Sequence, residues 1–239
     1  MATLASTIVY HPDGVGIHIL KMGENPDLPT LAFLPGLSGI AEDGIESLGP
    51  CVDQGFNVAS MSFRGRGQST TPEKGYSIDC HSDDVGLFLR DIVGSKITLV
   101  ANSMSTIYVV NYLLCKNAAK IDALVIVDHP LALRKLKAGW AEEAAKLVIN
   151  GKSILENVRR VVLGEIERES EAIDFYASYE QLKIPTLLMA APVGKGLLTD
   201  HDLVLYCRQK QTKIVDFPDS DHFIRLRVPK KYLLTCCII

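Results

Sequence analysis

The sequence predicts an α/β protein built on a mostly parallel, eight-stranded sheet with helices on both faces. Three observations carry this. Short apolar runs rich in β-branched residues alternate with stretches of helical periodicity, as strands joined by covering helices require. Several of the runs are almost continuously apolar, which suits strands buried on both faces. The chain has 239 residues, 47% hydrophobic and 22% charged. That length and composition suit one globular core and exclude disordered, collagen-like and coiled-coil chains.

In chain order, strands are expected near residues 7–10, 16–21, 30–34, 57–62, 97–101, 123–127, 186–190 and 213–217. Pro12-Asp13-Gly14 separates the first two, and fixed φ at proline with freedom at glycine makes them a hairpin ahead of the parallel portion. Val85, Phe88, Leu89 and Ile92 share one helix face, and Met104, Ile107, Tyr108 and Tyr112 share another. From residue 131 to 182 no strand signal is evident. Trp140, Ala144, Leu147 and Val148, then Ile154, Val158, Val161 and Val162, instead recur at helical spacing. Residues 1–130 and 183–239 are thus expected to form the core domain, and 131–182 a helical insertion. It falls near the C-terminal edges of the strands, where α/β proteins place ligands, so it is expected to act as a lid. No repeat or Pro/Gly-rich linker marks a further domain.

Charge and cysteine usage narrow the function classes. A net charge of -3 provides no electrostatic footprint for nucleic acid. No apolar run reaches the roughly 18–20 residues of a membrane span. Residues 1–10 lack the features of a signal peptide, and six cysteines without CxxC pairs favour a reducing compartment, so a cytoplasmic location is expected. Cys236-Cys237-Ile238-Ile239 formally fits a C-a-a-X prenylation pattern, but without an adjacent polybasic segment the plainer expectation is a helix end packed on the core. No cofactor or metal is expected. Cys80-His81 and His201 with Cys207 lack zinc spacing, and Gly65-x-Gly67 and Gly194-Lys195-Gly196 lack the rest of a nucleotide-binding loop. Arg134, Lys135 and Lys137 read as a solvated helix face, or as an attractor for an anionic substrate at the lid entrance.

The chemistry concentrates at Ala101-Asn102-Ser103-Met104-Ser105, where a strong strand runs directly into an amphipathic helix. Small residues two positions either side of Ser103 suit a strained turn in which larger side chains would strike the neighbouring strand and helix. Free amides at the helix start, Met104's among them, face the place where an oxyanion would form. Taken alone, the string also fits a serine-rich helix N-cap with no chemistry.

With these residues in view, the chain resembles the α/β-hydrolase superfamily along nearly its whole length. Leu34-Pro35-Gly36-Leu37-Ser38-Gly39 follows the third strand, where that family has its oxyanion loop; Pro35 replaces the usual His, and the resemblance makes Leu37 the second oxyanion donor. Phe63-Arg64-Gly65-Arg66-Gly67-Gln68-Ser69 is similar to the family's R-G-x-G-x-S turn, and Asp219-Ser220-Asp221-His222-Phe223 resembles its histidine loop. Pro229 suits the first turn of a closing helix. The resemblance implies Ser103 as nucleophile and His222 as base, in the chain order serine, acid, histidine. His11, His18, His81, His129 and His201 have no equivalent position.

The acid departs from the family pattern, because alignment on 184–188 puts Gly194 at the customary aspartate. Asp128, after the sixth strand, is the leading alternative. Asp200 and Asp202 could instead reach in from a lengthened loop, although Thr199-x-x-Asp202 reads as a helix cap, and a site without an acid remains open. The expected function is a serine hydrolase cleaving a small ester, thioester or lactone through an acyl-enzyme. The expected partner is a small acyl substrate, with oligomeric state left open. A ligand-binding protein with little turnover, and a lyase or cyclase using His222 as base, are the rivals. Because neutral imidazole is needed, activity is expected to fall in acid.

Overall fold

The computed structural model describes residues 3–115 and 121–237. Eight strands form one sheet: β1 (Leu4–Tyr10), β2 (Gly16–Met22), β3 (Thr30–Leu34), β4 (Asn57–Met61), β5 (Ile97–Asn102), β6 (Ala123–Val127), β7 (Thr186–Ala190) and β8 (Thr212–Asp216). Their spatial order is β1-β2-β4-β3-β5-β6-β7-β8. Strand β2 runs antiparallel to both neighbours, whereas every pair from β4 to β8 is parallel. The expected fold class therefore holds, with strand ends displaced by three residues at most.

Strand periodicity divides the core in two. Ala32, Leu34, Leu99, Ala101, Leu124 and Ile126 pack on one face with Val85 and Phe88 of α2 (Ile78–Arg90) and Ile107 and Val110 of α3 (Ser105–Cys115). Their alternate neighbours Leu31, Phe33, Val100, Val125 and Val127 pack on the other. There they meet Leu48 of α1 (Ala41–Leu48), Ile224 and Tyr232. Burying each large aliphatic side chain contributes roughly 1.5–3 kcal/mol, so this double-sided pattern is the main thing that fixes register. Ile92 lies beyond the end of α2, and Met104 sits in the turn before α3.

The segment 131–182 differs from the all-helical expectation. Its two ends pair as a short antiparallel ribbon, Ala132–Leu133 with Ile173–Asp174, and Val148–Ile149 pairs with Lys152–Ser153. Asn150 (φ 50°) and Gly151 (φ 77°) form the two-residue turn of that second hairpin, the left-handed pair that Asn-Gly favours. Helix α4 (Trp140–Ala144) consequently stops early, leaving Leu147 and Val148 exposed, and α5 (Arg160–Glu169) begins two residues after Val158. Arg134, Lys135 and Lys137 are exposed on the non-helical stretch before α4 rather than on a helix face. The Glu167 carboxylate of α5 accepts from the Gly139 and Ala141 amides, capping α4 in place of a local side chain. Ala144, Ile154, Val158, Val162 and Ile166 make a small core of their own, shared with Tyr76 and Leu37 from outside this segment.

The closing elements are α6 (Tyr176–Tyr179), α7 (Asp200–Cys207), α8 (Ile224–Arg227) and α9 (Pro229–Cys236), the last opening on Pro229 as expected. Cys236 is buried against the sheet; Ile238 and Ile239 of the C-a-a-X pattern lie outside the described residues. Among the described residues no helix is long and apolar enough to cross a membrane, and no cluster of His, Cys, Asp and Glu could hold a metal ion.

Candidate active site

Three non-glycine residues among those described have left-handed backbones, and two of them are Ser103 (φ 56°) and Asp128 (φ 48°). Such conformations cost of order 1–3 kcal/mol and persist only where the surroundings enforce them. Both stand just past the ends of adjacent parallel strands, Ser103 after β5 and Asp128 after β6. The Ser103 amide donates to Val127 O at 3.1 Å, and the Thr106 amide donates back to Ser103 O at 2.9 Å. The substituted small residues fit: Ala101 is fully buried, and the buried Ser105 hydroxyl lies 2.8 Å from Leu34 O and 3.0 Å from Asn102 O. Serine thus stands at the tight +2 position with its polar atom satisfied.

His222 follows β8 and reaches both strand ends. Its Nε2 is 2.9 Å from Ser103 Oγ and its Nδ1 is 2.8 Å from Asp128 Oδ2. With Nδ1–H donating to the carboxylate, Nε2 is left to accept from the serine hydroxyl. The Asp128 carboxylate also accepts from the amides of Ala191 (3.1 Å) and Leu197 (2.9 Å). Burial pushes this carboxyl up, but the His222 hydrogen bond and the two amides outweigh it and hold it below the usual carboxylate range.

The loop after β7, where the family's customary aspartate is missing, is therefore the cradle of Asp128. It also positions the histidine, since the His222 amide donates to Lys195 O at 3.2 Å. The cradle closes because residue 196 is glycine: a Cβ there would lie 2.5 Å from both Asp128 carboxylate oxygens. Gly196→Ala is expected to displace the loop at a cost of about 1–3 kcal/mol, a Tm loss of several degrees in differential scanning calorimetry. An unchanged Tm would show that the loop closes without this contact. Asp200 is exposed at the start of α7, and Asp202 caps that helix through Thr199 while accepting from Tyr176 OH. Neither approaches His222 by hydrogen bond.

Met104 follows Ser103 in the turn, and Leu37 belongs to the loop that meets the elbow through Gly36. A Cβ on Gly36 would sit 3.1 Å from Ser103 Cβ, so the Pro35–Gly39 loop presses directly on the elbow. Neither the Leu37 nor the Met104 amide donates to a protein acceptor among the described residues. Behind the loop, the fully buried Arg66 donates through Nε to Leu37 O at 3.0 Å and through Nη1 to Arg64 O at 2.7 Å. Its Nη1 also meets His81 Nε2 at 2.9 Å, and His81 stacks on Tyr108 at 4.3 Å. Arg64 takes the nearest carboxylate instead, holding Asp84 with several hydrogen bonds while His11 binds the same group. This Arg66–His81 brace, and the amides of Ala191 and Leu197, were not legible as site components, because nothing in local sequence distinguishes a side chain or amide that acts through tertiary contact.

Two histidines here are buried and neutral. Burial and the Arg66 charge depress His81 to about 3, and burial depresses His129, whose Nδ1 donates to Pro130 O at 2.7 Å, to about 4. Both ordinarily titrate at 6.5, so between about pH 6.5 and 4 the unfolded chain binds two protons that the folded chain does not. Stability must fall as pH drops through that window, by up to ~2.7 kcal/mol per pH unit. Urea unfolding at pH 7 and pH 5 is expected to show a lower midpoint at pH 5. Equal midpoints would mean that these imidazoles take up protons in the folded state.

A family model described as alpha/beta hydrolase fold matches residues 29–159, more than half of the chain. The protein belongs to the α/β hydrolase fold family. Among solved structures it is similar to an esterase from Exiguobacterium antarcticum, with TM-score 0.79, 16% identity and 98% of each chain covered. It is also similar to a bromoperoxidase from Bacillus anthracis, with TM-score 0.80, 15% identity, and 98% and 99% of the two chains covered. A hydrolase from Pseudomonas aeruginosa aligns at TM-score 0.78 and 16% identity over 98% of each chain. At these identities the likeness is one of fold. No curated protein matches the chain.

Proposed function

We propose that this protein is a serine hydrolase that cleaves a small ester, thioester or lactone through an acyl-enzyme. The observation that carries the reading is the continuous relay Ser103 Oγ, His222 Nε2, His222 Nδ1, Asp128 Oδ2, with its two hydrogen bonds of 2.9 and 2.8 Å. A serine hydroxyl is a weak nucleophile near neutral pH, and an imidazole in hydrogen-bond contact removes its proton as the bond to the acyl carbon forms. The carbonyl π electrons move onto oxygen, and the amides of Leu37 and Met104 hold that oxyanion, each donor being worth roughly 10²- to 10³-fold in rate. Collapse of the tetrahedral adduct expels the alcohol or thiol, which takes the proton from imidazolium. Water then attacks the acyl-Ser103 ester by the same route, returning free acid and enzyme.

Asp128 keeps Nδ1–H as the donor and stabilises the imidazolium. Its depressed carboxyl stays ionised through the working range. Residues 131–182 act as the lid. Leu37 shares their small core, Arg66 bridges Val158, and the Gly67 amide donates to Asn157 O at 3.0 Å, so the insertion rests directly on the oxyanion side of the site.

Stopped-flow hydrolysis of p-nitrophenyl acetate, an acyl thioester and a lactone tests the reading. At least one is expected to turn over, with a stoichiometric burst of leaving group where deacylation is slow. No turnover of any of the three would overturn it and favour the ligand-binding alternative.

A further inference from the structure

We propose that Cys51 and Cys237 form an oxidisable dithiol site that takes a peroxide and closes to a disulfide. Cys51 is fully buried on the 3-10 turn Gly49–Gln54 that continues α1, and Cys237 is the half-buried cap of α9. Their sulfurs are 2.7 Å apart although 186 residues separate them. Two unbonded sulfurs ordinarily stand well over 3 Å apart, whereas the covalent bond is ~2.05 Å, so closure needs only a small approach of the two helix ends. The other four cysteines have no such partner: Cys80, Cys115 and Cys207 lie elsewhere, and Cys236 is buried beside Tyr232.

The less buried cysteine reacts first. Burial pushes the Cys51 thiol well up, which disfavours its thiolate, and leaves Cys237 as the attacking group. Its sulfur displaces hydroxide from hydrogen peroxide, giving a sulfenic acid and, with the thiol proton, one water. Cys51 sulfur then attacks the sulfenic sulfur, expelling a second water and forming the disulfide. Two thiols lose two electrons and one peroxide gains them. In a reducing compartment the pair returns to thiols by exchange, as expected of a transient intracellular disulfide.

The bond would staple the C-terminal segment, which begins two residues after His222 with α8, to α1. A partly buried ion pair already links α8 to α1, Arg225 Nη2 to Asp43 Oδ1 at 2.7 Å. Closing so long a loop is expected to raise Tm by about 10 °C.

The test is peroxide treatment of the folded protein, followed by thiol titration in denaturant and peptide mapping. Two of the six thiols are expected to disappear, with one cross-linked pair of peptides containing residues 51 and 237. Dithiothreitol should reverse both the link and the Tm increase. Cys237→Ser, at a half-buried helix end, should fold normally, show no cross-link and show no Tm rise. A Cys236–Cys237 link, or stepwise oxygen addition to Cys237 with no disulfide, would overturn the proposal. The outcome does not depend on the hydrolase reading.

Discussion

Ser103→Ala is expected to lower kcat on the best ester by on the order of 10⁴-fold or more, while leaving the fold intact. In the proposed mechanism this side chain is the acyl acceptor, and Ser103 Oγ is the hydrogen-bond partner of His222 Nε2 among the described residues. Stability should change little. The left-handed backbone at residue 103 already carries its strain with serine in place, and alanine adds no atoms to the turn. Steady-state kinetics with circular dichroism on the same preparation separates lost chemistry from lost structure. Full ester turnover by this variant would refute the nucleophile assignment. If turnover survived Ser103→Ala but vanished in His222→Ala, the pocket would be running base chemistry of the lyase or cyclase kind instead.

The second large effect is expected at Asp128→Asn, with a kcat loss of about 10⁴-fold. The carboxylate accepts three hydrogen bonds, from His222 Nδ1 and the amides of Ala191 and Leu197. A carboxamide has only one acceptor oxygen, so its NH2 must face at least one of these donors. If it faces His222, the imidazole turns to the wrong tautomer and Nε2 carries the proton that it should remove. If it faces an amide, a buried donor is left unpaired at about 1–3 kcal/mol. Urea denaturation therefore accompanies the kinetics, and the expected result is a rate loss much larger than the fall in folded fraction. Asp200→Asn, on an exposed helix start, should retain activity within about twofold. The reverse ranking of the two variants would move the acid to the later loop.

Much of this arrangement was legible from residue order. The core strands announced themselves because burial on both faces demands runs such as Leu124-Val125-Ile126-Val127, and the ends of β3 to β8 fell within one residue of expectation. Ser103 was legible because a strand that turns directly into a helix needs small neighbours, and Ala101 and Ser105 are both fully buried. The insertion 131–182 was less legible. Trp140, Ala144, Leu147 and Val148 satisfy helical spacing, but Asn150-Gly151 closes a hairpin that ends the helix first, and a two-residue turn signal outweighed a four-residue pattern.

The Asp128 carboxylate and its cradle mark the other limit. Asp128 was one of several carboxylates open on sequence grounds, since an orienting group is recognised by its distance to an imidazole. Gly196 carries no sequence signature of its role, yet any side chain there would strike the carboxylate. Arg66 stands at a variable position of a recognisable turn. Its contact with Leu37 O depends on how that turn folds against the Pro35–Gly39 loop. Local patterning specified the strands and the elbow; what three separated loops do to one another is a property of the assembled sheet.

The most direct measurement is to treat the folded protein with a fluorophosphonate and locate the adduct by peptide mass spectrometry. The reagent reports a serine whose hydroxyl is activated and whose oxyanion is held, both in one event. The relay through His222 predicts a single phosphonylated residue, Ser103, with labelling abolished in His222→Ala. An adduct on any other residue, or a folded protein that takes up no label, would contradict it.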